Sequence, residues 1–320
     1  MDKMKINLTL PTSWGTCTSE QLEKICLAQQ QAVTSNTDDQ RAAWKVECFL
    51  MLTGLEVEES VKEDEDGERF VMVRKTLDGG TVKRGDGMVF PLYLWQIQYW
   101  VSENLAFLDT PPNVVRFPYP EWECEGKKFR GPSIYLSGWT WQQYRLLKDY
   151  LDYFFKVEGM VRDNDITTSR HHDKYLKAMS MVLATLYDAE TDYLDETTRL
   201  AVHGFHYRPE QSTENAKWFE GYPAVRFAVI LMWWATVAMK LQKDYPKCFS
   251  SGNQKKHKIP KPQDPIAEYA RTTATLEKYM GVNEQELQQE SFTVVLQHLQ
   301  DMIKQNEEIE RMNQRMKSGK

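Results

Sequence analysis

His171-His172-Asp173, Asp188-x-Glu190-x-Asp192 and His203-Gly204-Phe205-His206 bring four of the chain's six histidines and a run of spaced carboxylates into the interval 171–206. Imidazole and carboxylate are donors that Zn, Mn or Fe accept, and histidines three apart share a face if they stand on a helix. The chemistry would be metal-dependent hydrolysis, with a hydrolase or nuclease using His171, His172, His203 and His206 together with Asp188 or Glu190. Against it, no Glu-x-x-His pair is present, Gly204 interrupts any helix through 203–206, and 188–192 lacks the glycine of a calcium loop. The primary reading is therefore that these are solvated or hydrogen-bonded side chains at helix ends and in a surface loop, and no cofactor is expected.

Other catalytic patterns are missing from the sequence. There is no G-x-x-x-x-G-K-[ST], no G-x-S-x-G and no H-E-x-x-H, and the glycines at 79, 80, 85 and 87 do not form a G-x-G-x-x-G before a helix. Five widely spaced cysteines without a C-x-x-C pair encode neither a disulfide framework nor a zinc knuckle, so a reducing, cytoplasmic setting is expected. With 40 basic and 46 acidic residues the net charge is −6, which argues against a dedicated nucleic-acid binder. The stretches Gly87 to Ser102 and Phe227 to Met239 read as core segments too short for the ~20 residues of a membrane span.

Any site must be carried by the elements around it. Thr18 with Gln21 fits a capping box opening a helix over Ser19 to Ala32, and a second helix is expected from about Asp38 to Thr53, stopped by Gly54. Ile6, Leu8 and Leu10 alternate like a strand. Residues 56–68 hold eight acidic residues and one lysine and read as a solvated loop, with an acidic nucleic-acid mimic as a remote third possibility. Phe70 to Val73, Asp78-Gly79-Gly80 and Thr81 to Lys83 predict a β-hairpin at about 70–83. A helix is expected just after Pro91, a strand at Ile134 to Leu136, then helices from Thr140, over Tyr175 to Asp188 and over Glu196 to His203. Phe227 to Met239, Pro265 to Met280 and Glu284 to Met316 complete the helices, and the last outruns its own apolar stripe, so that it frays or finds a partner chain. Lys255, Lys256, Lys258 and Lys261 lie among prolines in a solvated linker.

Thr18-Ser19-Glu20-Gln21-Leu22 and Thr140-Trp141-Gln142-Gln143-Tyr144 each follow a Trp/Gly turn. Chance convergence of two good helix caps is the preferred explanation, and a diverged duplication of 1–32 and 133–157 stays open. Ten tryptophans among 38 aromatic residues exceed the needs of composition. Most are expected in cores, with some anchoring a protein interface.

The residues Leu10-Pro11-Thr12-Ser13-Trp14, Thr18 to Gln21, Phe49 to Leu55 and the terminal helix resemble phage and prophage tail-module proteins, some of them similar to tail-assembly chaperones. The likeness covers residues 1–55 best and 250–320 loosely. It implies a helical protein with no catalytic residues that binds other virion components during assembly.

The fold class expected is α+β, predominantly α-helical, with a few short strands and one β-hairpin. Its regions are 1–157 (mixed α/β), 158–249 (helical), 250–265 (linker) and 266–320 (helical). The expected function is non-enzymatic virion assembly through protein–protein contacts at Trp95, Trp139, Trp141, Leu299, Met302 and Ile303. The partners would be other phage structural or assembly proteins, with no membrane or nucleic acid, and the terminal helix is a candidate for homo-oligomer contacts.

Overall fold

Thr18 opens the first helix as its spacing predicts: its hydroxyl accepts from the Gln21 N–H at 3.2 Å, and its own N–H donates to Gln21 Oε1 at 2.9 Å. The computed structural model describes residues 10–32, 37–75, 88–163, 169–194, 200–249 and 265–318. Its elements begin with α1 (Ser19–Ala32), α2 (Asp38–Thr53), β1 (Leu55–Val57), β2 (Lys62–Glu63), β3 (Arg69–Lys75), β4 (Met88–Tyr93) and α3 (Leu94–Asn104). Next come β5 (Glu121–Cys124), β6 (Lys127–Arg130), α4 (Trp141–Asp163), α5 (Ser169–Leu186), β7 (Asp188–Leu194), β8 (Ala201–His206) and α6 (Ser212–Asn215). The chain ends with α7 (Ala224–Asp244), α8 (Pro246–Phe249), α9 (Pro265–Met280), α10 (Glu284–Gln289) and α11 (Phe292–Ser318). The fold is α+β and predominantly helical, with two small antiparallel sheets. The strand expected at 6–10 and the linker expected at 250–265 fall almost wholly outside the described residues.

Backbone proximity groups the chain into two units, each made of two stretches: Met1–Pro118 with Pro223–Thr236, and Tyr119–Tyr222 with Val237–Lys320. In the first, Leu22, Ile25 and Ala28 of α1 and Cys48, Phe49 and Leu52 of α2 are buried, and Gly54 ends α2 at φ 67°. Trp14 meets Phe107 edge-on at 5.1 Å and donates from Nε1 to Thr110 O at 3.2 Å. Thr236 of α7 accepts from the Val114 N–H and donates to Pro112 O, which holds the proline segment in place.

The sheet of this unit centres on β3, with β1 and β2 along one edge and β4 along the other. The expected hairpin has its first strand here, but its expected return at 81–83 lies outside the described residues, and the described partner is β4. Pro91, read from sequence as a helix start, stands inside β4 opposite Met72. An edge strand tolerates the missing N–H. The helix begins instead at Leu94, where the Tyr93 N–H donates to Gln96 Oε1 at 3.1 Å.

The second unit pairs α4 with α5 over Leu147, Leu151, Phe154, Met179, Val182 and Leu183, and carries the sheet β5-β6-β7-β8. Three expectations are corrected here. Ile134–Leu136 is a 3₁₀ turn rather than a strand; Tyr135 and Leu136 hold φ of 52° and 62°, a left-handed pair sustained by the complete burial of Leu136. Residues 201–206, within and beyond the expected 196–203 helix, form β8, so the middle of the chain is not purely helical. The long terminal helix is broken at Glu290-Ser291, because the Trp141 N–H donates to Glu290 O at 2.8 Å and the Phe292 N–H to Trp139 O at 3.2 Å.

Gly54 has no atom within 4 Å of a built Cβ, so a side chain there meets only backbone strain. Gly54→Ala should cost about 1–2 kcal/mol in urea unfolding. Gly15→Ala, equally open and without positive φ, should cost far less.

Candidate functional site

The β7–β8 hairpin decides the fate of the histidine cluster. Its register sets Asp192 opposite His203 and Ala189 opposite His206. Side chains alternate across a strand, so residues three apart point to opposite faces, where a helix would have brought them together. His203 Nδ1 lies 2.7 Å from Asp192 Oδ1 and its Nε2 lies 3.7 Å from Glu190 Oε1, all on one exposed face. His206 turns the other way and stacks on Tyr193, centroids 4.5 Å apart at 12°. His172 is exposed on α5, and the side chain of His171 is outside the described residues. Among the described residues no group of three or more His, Cys, Asp or Glu side chains is arranged to hold a metal ion.

Asp188 departs from the cluster for a different reason. It starts β7 directly across from Arg130 and lines a cleft of about 550 Å³ with Gln143, Trp139, His206, Tyr207 and Arg208. Burial pushes its carboxyl up to about 6; hydrogen bonding from Gln143 and the charge of Arg130 pull weakly the other way. Gln143 is itself buried and donates from Nε2 to Thr185 O at 3.3 Å and to Asp188 Oδ1 at 3.4 Å. At the matching position of the first corner, Gln21 reaches back to its helix cap. The two corners share the threonine cap, since Gln143 N–H donates to Thr140 Oγ1 at 3.2 Å, but the second glutamine serves the cleft. The Arg130 guanidinium lies 4.1 Å above the Phe205 ring. The result is a polar cleft with a protonatable acid at its wall and arginines beside it.

Burial disfavours the thiolate form at four of the cysteines. Burial pushes Cys17 up to about 11 and Cys26 up to about 12, and raises Cys48 and Cys248 as well.

No protein family, curated protein or solved structure matches the chain.

The aromatic residues expected at an interaction surface divide sharply. Trp139 and Trp141 are buried at 5% and 7% exposure, packing the start of α4 rather than meeting solvent. Trp95 is 55% exposed, and Tyr99, one turn along α3, is 58% exposed. The i,i+4 spacing of Trp95 and Tyr99 sets both on one face of α3. Next to this pair the acidic run is ordered rather than loose. Asp64 Oδ1 accepts from the backbone N–H groups of Asp66 and Glu68, and Asp64 Oδ2 accepts from the Tyr93 hydroxyl at 3.1 Å. Tyr93 in turn lies 6.4 Å from Trp95, ring to ring, so carboxylates and exposed aromatics occupy adjoining surface. Leu299, Met302 and Ile303 are half-buried on α11, and full exposure begins beyond them with Ile309, Met312 and Met316.

The apolar segment expected at 227–239 extends to the 21 residues of α7, which by length and composition alone could cross a membrane. Phe227, Val229, Ile230, Trp233, Val237 and Leu241 of this helix are buried, while Met239 is 41% exposed.

Asp188 gives this site a measurable signature. Its folded carboxyl titrates near 6 against an ordinary 3.8, so between those values the native state holds a proton that the unfolded chain has released. Stability should therefore fall as pH rises from about 4 to about 6 and stay at the lower level above. In chemical unfolding across that range Asp188→Asn should flatten the fall; an unchanged slope would assign it to another group.

Proposed function

We propose that the protein is a non-enzymatic component of phage or prophage tail assembly, acting in the host cytoplasm or virion by binding other proteins. The observation that carries this reading is the exposure of Trp95 and Tyr99 side by side on α3. Aromatic rings of this size dominate interface energetics when a partner covers them, and Trp and Tyr are the residue types most enriched at binding hot spots. The ordered carboxylates around Asp64 add a charge preference: a partner suited to this surface presents apolar pockets rimmed by lysine or arginine. The resemblance of residues 1–55 to tail-module proteins supports placing that partner among virion components.

The double variant Trp95→Ala/Tyr99→Ala should fold like the parent, within about 0.5 kcal/mol, because both side chains are solvated. Affinity capture from phage-infected cells, with mass-spectrometric identification, should recover a virion structural protein with the parent chain and at least about tenfold less with the variant. Equal recovery by both, or capture of no virion component, overturns the reading.

A further inference from the structure

α11 carries a seven-residue repeat that its own unit fills only halfway. Val295, Met302, Ile309 and Met316 recur every seven residues, with His298, Gln305 and Met312 three residues after the first three of them. This is the spacing of a coiled-coil seam. Val295 is fully buried and Met302 half-buried, whereas Ile309, Met312 and Met316 are 51%, 55% and 68% exposed. Among the described residues, the covering elements stop short of them. Lys247 of α8 makes its last contact on α11 at Glu307, with Nζ 2.7 and 2.8 Å from the two carboxylate oxygens, and Tyr279 of α9 reaches Gln305, whose Nε2 donates to its hydroxyl at 3.2 Å. From Glu308 to Met316 every residue of the helix is exposed, so the seam continues for two turns with its apolar side in water.

We infer that a second copy of this chain covers that seam, the two α11 ends lying antiparallel across a two-fold axis. The charges beside the seam select both the occupant and the direction. The position preceding each seven-residue step is Glu308 in one repeat and Arg315 in the next, both exposed. In an antiparallel pair such positions face each other across the seam, so Glu308 meets the partner's Arg315, and symmetry makes the same pair twice. Asn306 and the partner's Asn313 flank the opposite side. The layers are then Ile309 on the partner's Met312 and Gln305 on the partner's Met316, each occurring twice, and Tyr279 beside Gln305 offers that methionine sulfur a ring. A parallel, in-register pair sets Glu308 against Asn313 instead and forms no charge pair.

Four layers make a small interface, so the dimer is weak and salt-sensitive. The inference concerns α11 alone and stands or falls separately from the role of Trp95 and Tyr99. Sedimentation equilibrium of the full-length protein up to about 200 µM at low salt tests it, with subunit affinity weakened about tenfold by either Glu308→Arg or Arg315→Glu. The decisive arm mixes the two single variants. One copy then carries arginine at both positions and the other glutamate at both, so only an antiparallel pair regains complementary charges; mixed dimers should form where each variant alone is monomeric. Circular dichroism of each variant checks that the helix is intact. A monomeric parent at the highest concentration, dimerisation unaffected by either reversal, or a mixture that stays monomeric overturns the proposal, and none of these outcomes touches capture through Trp95.

Discussion

Two backbone hydrogen bonds, Trp141 N–H to Glu290 O and Phe292 N–H to Trp139 O, govern the second unit. They join the entrance of α4 to the junction of α10 and α11, far away in sequence. To make them the chain leaves the helix at Ser291, which is why one periodic stretch yields two helices. The same crossing sets Phe292 against Tyr144, rings 5.1 Å apart and nearly parallel, and buries both. With α11 anchored there, its first turns lie in the core and its last turns in solvent. Thr140, which precedes α4 and pairs with Ser291, also caps the helix whose Gln143 supports Asp188. One local crossing thus sets the cleft, the helix break and the place where the apolar seam emerges.

Helix limits were legible where they depend on local chemistry. Thr18 with Gln21, Gly54 with its left-handed φ, and the Pro265 start each act on neighbours within a turn, and α1, α2 and α9 match the expected spans. Elements whose identity depends on a distant partner were not legible. Ile134 to Leu136 has the composition of a strand, yet among the described residues no strand pairs with it; Leu136 is drawn into the core instead and the backbone takes the strain. Residues 201–206 lack a run of good strand formers. Their state is set by pairing with β7, where Gly204 lies against the Tyr193 ring, about 3.8 Å from where a Cβ would be. The separation of His203 from His206 follows directly, because a strand's period of 2.0 sets on opposite faces two residues that a helix's 3.6 would bring together.

The candidate site divides along the same line. Asp188 and Gln143 were visible as residues but not as neighbours, since 45 positions and a helix pair separate them. The aromatic surplus was visible as a count, whereas its partition was not. Trp14, Trp139, Trp141 and Trp233 are all buried at or below 7% exposure, and Trp95 alone of the proposed tryptophan contacts meets solvent. An amphipathic helix places a large ring on either side of its boundary with equal ease. α3 packs on α2, β3 and β4, and the acidic run that adjoins Trp95 through Tyr93 offers carboxylates rather than apolar cover.

That shortage of cover has an electrostatic cause. Eight carboxylates in residues 56–68 cannot crowd into a core without severe desolvation, so the segment must stay wet. It is ordered nonetheless, because Asp64 satisfies two backbone N–H groups of its own turn and takes a third bond from Tyr93, which holds its carboxyl below the ordinary range. A wet, fixed acidic edge adjoins two rings that it does not shield, and both stay more than half exposed. The end of α11 reaches the same condition by another route: Lys247 and Tyr279 close off the seam at Glu307 and Gln305, and among the described residues no element follows the helix further. In both places the described elements run out before the apolar pattern does. Surface of that kind is stable in solution only while it is small, and its composition, aromatic and acidic in one case and methionine-rich with alternating charge in the other, determines what can complete it.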